Sequence, residues 1–101
     1  MIRHCVMLTW TEEANEETIK AVLAGLTELR PKIDVIRSYS FGPDLELDPG
    51  RNHDLMIVAE FDSVEDYQIY ASHPDHIELI VQTIKPILAT RAAVQYEVDP
   101  V

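Results

Sequence analysis

The string Tyr70-Ala71-Ser72-His73-Pro74-Asp75-His76 gathers the side chains of this sequence best suited to moving a proton. A histidine with an ordinary pKa near ~6.5 exchanges its proton close to neutrality, whereas a phenol keeps its own until about pH 10 and so donates hydrogen bonds. Pro74 lacks an N–H and disfavours helical geometry at His73, which predicts that one helix ends by Ser72 or His73 and that Pro74 opens another. Tyr70, His73 and His76 then share one corner. Such a corner either holds a proton-transfer pair or satisfies the loose backbone groups of a capped bend, and the residues themselves leave both readings open.

The flanking sequence must position that corner. Ser63 and Asp66 have the spacing of a capping box, so a helix starts after Ser63. Beyond Pro74, residues Ile77, Ile80, Val81 and Ile84 continue an amphipathic helix that halts near Pro86. At the amino end, Ile2, His4, Val6, Leu8 and Trp10 alternate with Arg3, Cys5, Met7 and Thr9, the period of a strand with two largely apolar faces. His4 is the exception on its stripe. Ile19, Val22, Leu23, Leu26 and Leu29 fall at helical offsets after a cap at Asn15, and Pro31 stops that helix. Gly25 inside it suggests close packing on a strand.

Val35–Phe41 reads as a second strand ending at Gly42-Pro43, and residues 44–52 as an acidic loop with a Pro-Gly turn. His53–Phe61 is a third strand, with Leu55, Ile57, Ala59 and Phe61 on one side and Met56 and Val58 on the other. Ala92–Val98 alternates as a fourth. The order βαββαβ predicts one α+β domain over residues 1–101, a ferredoxin-like four-stranded antiparallel sheet with helices on one face. Cys5, Met7, Met56 and Val58 then point to a face without helices, which a second copy would cover, so a homodimer through that face is expected.

The remaining numbers mostly exclude. A formal net charge of −10 repels phosphate backbones and anionic headgroups, so neither nucleic acid nor a membrane surface is an expected partner. No apolar run approaches the ~20 residues of a membrane span, and no leader pattern opens the chain. A single cysteine, Cys5, excludes an internal disulfide and fits a reducing, cytoplasmic setting as a small buried hydrophobe. His73 and His76 lie near Asp75 and Glu78, but Pro74 breaks the geometry a metal site needs, and none is expected. No string supports haem or flavin, so no cofactor is expected.

The opening Ile2-Arg3-His4-Cys5-Val6, the loop after Gly42-Pro43-Asp44, and above all Phe61-Asp62-Ser63-Val64-Glu65 with Tyr70-Ala71-Ser72-His73-Pro74-Asp75-His76 resemble the stress-responsive dimeric α/β-barrel (Dabb) family. The resemblance covers nearly the whole chain. It implies a ferredoxin-like protomer and a homodimer whose sheets form a shared barrel. A plant polyketide cyclase of this family folds its substrate by cofactor-free aldol chemistry, and its reacting tyrosine and histidine match Tyr70 and His76; His4 matches a further pocket histidine. Leu55 departs from that enzyme, which has a histidine there.

On this reading His76 removes a proton α to a carbonyl and Tyr70 donates to the developing enolate oxygen. His4, Val6, Leu26, Ile57 and His73 would bind a small, partly apolar molecule between sheet and helices. A cavity of several hundred Å³ reaching Tyr70, His76 and His4 would mark such a cyclase or lyase-like site. A filled core there would mark a non-catalytic stress or assembly protein with structural histidines.

Overall fold

Alternation decides the sheet. In β1 (Ile2–Trp10) His4, Val6 and Leu8 are buried while Met7 between them is exposed, and in β3 (Leu55–Phe61) Leu55, Ile57, Ala59 and Phe61 are buried while Met56 is exposed. The computed structural model describes residues 1–99. Its other elements are α1 (Glu16–Leu29), β2 (Ser38–Pro43), α2 (Val64–Ser72), α3 (Pro74–Leu79) and β4 (Leu88–Glu97). A π-helical turn, Ile80–Ile84, follows α3, and short 3-10 turns occupy Arg30–Lys32 and Lys85–Ile87.

The strands form one antiparallel sheet in the order β2-β3-β1-β4, with the helices on one face: a ferredoxin-like α+β fold. Register fixes what faces what. His4 stands opposite Ala59 and Gln95 and Val6 opposite Ile57 and Ala93, all toward the helices, while Cys5 opposes Val58 and Val94 on the helix-free side. Two clusters fill the helix side. One joins Val22 and Leu26 to Val6, Leu8, Leu55 and Ile57; the other joins Leu29, Ile33 and Ile36 to Ala59, Phe61 and Tyr70.

Helix starts follow the sequence. Asn15 Oδ1 accepts from the Thr18 N–H while Thr18 Oγ1 accepts from the Asn15 N–H, a complete capping box. Ser63 Oγ accepts from the Asp66 N–H, the forward half of the predicted box at α2.

Several strand boundaries differ from the sequence reading. Val35 and Ile36 precede β2, because Ile33 and Ile36 bury themselves through a turn, Ile36 N–H to Ile33 carbonyl at 3.3 Å, before the strand begins. The same strand continues through Gly42 and Pro43, which an edge position tolerates because Pro there owes no hydrogen bond to a neighbour. β3 starts at Leu55 rather than His53, and β4 starts at Leu88, four residues before Ala92. Gly25 faces α3, not a strand: a Cβ there would collide with Cδ1 of Leu79.

Candidate functional site

The helix break is built as predicted, and each histidine in it caps a helix end. His73 ends α2 in extended geometry, and its Nδ1 accepts from the Asp75 N–H at 3.1 Å, capping α3 behind Pro74. His76, one turn into α3, bonds through Nδ1 to the Ala71 carbonyl at 3.0 Å, one of the last carbonyls of α2. A carbonyl oxygen only accepts, so Nδ1 of His76 carries the proton and Nε2 of the neutral ring is a bare lone pair. The ring lies 4.2 Å from that of Tyr70, centroid to centroid.

Tyr70 comes from the buried side of α2. Its hydroxyl meets that of Tyr39 on β2 at 3.3 Å, and its ring packs on Phe61. Burial pushes the Tyr70 phenol far above its ordinary value and raises that of Tyr39, so both stay protonated and available as hydrogen-bond donors. His4 reaches the same place from β1, its ring 5.0 Å from Tyr67 and 6.1 Å from Tyr70. Gln95 Nε2 donates to His4 Nδ1 at 2.8 Å, which leaves the proton of the neutral ring on Nε2. Desolvation lowers His4 to about 4, with Arg91 and His76 adding repulsion. Desolvation also lowers His76, against the raising effect of its hydrogen bond to the Ala71 carbonyl and with Arg91 and His73 opposing protonation.

Between sheet and helices lies a chamber of about 180 Å³ whose walls include His4, Val6, Leu26, Ile57, Tyr70 and His76. Six of the seven residues expected at the site line it. His73 does not: it faces the α2–α3 junction, where its Nδ1 is engaged by the Asp75 N–H. The volume is smaller than the several hundred Å³ anticipated, because Leu79 and the π turn, through Ile80 and Ile84, crowd one side. A larger groove of about 470 Å³, between Met7, Met56 and the loop residues Leu45 and Leu47, lies on the helix-free side, away from Tyr70 and His76.

Four contributors escaped the sequence reading: Tyr39, Tyr67, Gln95 and Arg91. Gln95 and Arg91 share the parity of Ala93 on β4, so alternation extended back to Leu88 would have placed Arg91 on the helix side. Tyr67 sits one turn before Tyr70. Among the described residues no group of three or more His, Cys, Asp or Glu side chains is arranged to hold a metal ion, and no helix is long and apolar enough to cross a membrane.

Comparison with known proteins places the fold. A dimeric ferredoxin-like protein of unknown function from Thermobifida fusca superposes with a TM-score of 0.88 at 34% identity, covering 96% of this chain and 90% of that one. The hydroxynitrile lyase of Passiflora edulis gives a TM-score of 0.85 at 17% identity, with 99% and 94% covered, a likeness of fold. A stress-response A/B barrel domain-containing protein of Arabidopsis thaliana is 24% identical over 99 residues, 98% of this chain. This chain spans 37% of that protein's length. The family model of the stress responsive A/B barrel domain, Dabb, matches residues 2–98, and the chain belongs to that family.

Proposed function

We propose that the chamber binds a small, partly apolar carbonyl compound and performs cofactor-independent acid–base chemistry on it. His76 Nε2 takes the proton α to the carbonyl, and the Tyr70 hydroxyl donates to the oxygen on which negative charge develops. The observation that carries this reading is the division of labour on the His76 ring. Its Nδ1–H is held by Ala71, so a basic nitrogen is left over on a ring that lines a chamber shared with a protonated phenol. The low proton affinity of both chamber histidines favours their neutral forms near pH 7, the form a base requires. A lyase among proteins of the same fold is consistent with such chemistry. The volume favours a compact substrate over an extended polyketide.

The test is deuterium exchange at the α-carbon of small ketones and aldehydes, followed by NMR. Wild type accelerates exchange, and His76→Asn, which retains a donor where Nδ1 stood, abolishes the acceleration. Exchange no faster than in buffer across the panel sinks the catalytic reading and leaves a protein whose histidines hold the α2–α3 bend.

The same reading includes a homodimer through the helix-free face. Met7, Met56, Val94 and Tyr96 are exposed there, and a similar protein is described as dimeric. The groove edged by Leu45 and Leu47, 79% and 77% exposed, continues that apolar surface. At the other end Arg3 pairs with Glu60 at 2.9 Å and donates to the Tyr96 hydroxyl, a polar border to the patch. The reducing cytoplasm we assign suits the one free thiol, Cys5.

A further inference from the structure

We infer that the substrate of this chamber is a carboxylate, its apolar body among Val6, Ile57 and Ile84 and its anionic end on Arg91. The inference rests on the small-molecule reading above and adds a charge to it. Arg91 of β4 lines the chamber yet is exposed, so it stands at the mouth. Acidic side chains outnumber lysine and arginine by 18 to 8, and Arg3 and Arg37 both hold carboxylates, Glu60 and Asp62. Among the described residues no carboxylate lies within ion-pairing distance of Arg91.

The other groups on the chamber wall are phenols, imidazoles and aliphatic side chains, none of which is a carboxylate that could serve as counter-charge. A guanidinium fork matches the two oxygens of a carboxylate, and it gains most where an adjacent apolar wall excludes water. An anion would otherwise be repelled by a chain of net charge −10, so this is a local exception to the field of the molecule. The positive charge of Arg91 opposes protonation of His4 and His76 alike. A carboxylate seated on Arg91 relieves that repulsion, so occupancy moves both imidazoles toward easier protonation.

The experiment uses matched acid and amide pairs, phenylacetate with phenylacetamide and butyrate with butyramide, titrated into the full chain while histidine NMR signals are followed. Each acid is expected to bind about tenfold or more tightly than its amide at low salt, with the advantage shrinking as salt rises. It should also raise the titration midpoints of His4 and His76. Arg91→Met should erase the preference, so that acid and amide bind alike, and Arg91→Lys should keep part of it. Equal binding of acid and amide by wild type overturns the carboxylate and leaves the neutral chamber standing. An acid preference that survives Arg91→Met overturns the role given to Arg91. If no member of either pair moves the His4 or His76 signals, the small-molecule reading fails and the carboxylate with it.

Discussion

The imidazole of His76 packs against the phenol of Tyr70 at 4.2 Å between centroids and 37° between planes, while its Nδ1 is fixed on Ala71. One ring therefore does two things through two atoms. Nδ1–H closes the end of α2, and Nε2 is the atom the proposed chemistry would use. The structural and catalytic readings of this histidine can be separated atom by atom.

An asparagine at position 76 has an amide nitrogen as many bonds from Cα as Nδ1 and lacks any counterpart of Nε2. His76→Asn should therefore keep the bond to Ala71, whereas His76→Ala loses that bond, about 1 kcal/mol, and the ring pairing, about 0.5–1.5 kcal/mol. Urea denaturation should find the alanine variant less stable than the asparagine variant by about 1 kcal/mol. Equal stabilities would show that the Nδ1 bond contributes nothing.

Tyr39 and Tyr70 hold each other's hydroxyls across the β2–α2 interface. Removing either oxygen leaves the other in a poorly hydrated place, a loss of about 1–3 kcal/mol. Removing both leaves nothing unpaired. A double-mutant cycle of Tyr39→Phe and Tyr70→Phe should show the double variant less destabilised than the sum of the singles by about 0.5–1 kcal/mol. Strict additivity would mean that the 3.3 Å contact carries no energy.

His4 gives stability a pH dependence of definite sign. Its folded pKa of about 4 lies below its unfolded value of 6.5, so between these the unfolded chain binds more protons. The contribution is complete above about pH 6.5 and is lost as pH falls toward 4. Protonation also removes the acceptor that Gln95 uses. Its size is on the order of 2 kcal/mol. His4→Asn keeps an acceptor near the Nδ1 position and does not titrate. The stability difference between wild type and this variant should shift by that amount, against wild type, from pH 7.5 to pH 4.5. A constant difference would refute the assignment.

How much of this was legible beforehand depends on whether a signal was local. Ser63, Asn15 and Pro74 act within one turn, so the helix starts and the α2–α3 break could be read from single residues. Strand parity is also local, which is why His4, Val6 and Ile57 could be assigned to one chamber before any coordinates existed. Edges were not legible. Whether Pro43 ends a strand depends on β2 lying at the sheet margin, a property of the whole sheet. β4 begins at Leu88 directly after the 3-10 turn Lys85–Ile87, with no breaker between them, and Arg91 was missed with that start. His73 was misassigned because spacing gives proximity but not direction: its ring turns back onto the α3 backbone.

The partnership offers the sharpest prediction, since it separates the monomer's fold from its assembly. Val94 is 59% exposed in the single chain and lies directly across from Cys5 on the helix-free face, so changing it disturbs no core contact of the protomer. In a two-fold association through that face the same residue enters from both copies. Val94→Glu would then bring two carboxylates into an apolar contact, and burying unpaired charge costs several kcal/mol. At 1.4 kcal/mol for each factor of ten, dissociation should strengthen about a hundredfold or more. Light scattering at ten micromolar or so should give a dimer for wild type and a monomer for Val94→Glu, with unchanged far-UV circular dichroism. A Val94→Glu dimer would move the contact to another surface, and a wild-type monomer would leave Met7, Met56 and Val94 without the cover their exposure calls for.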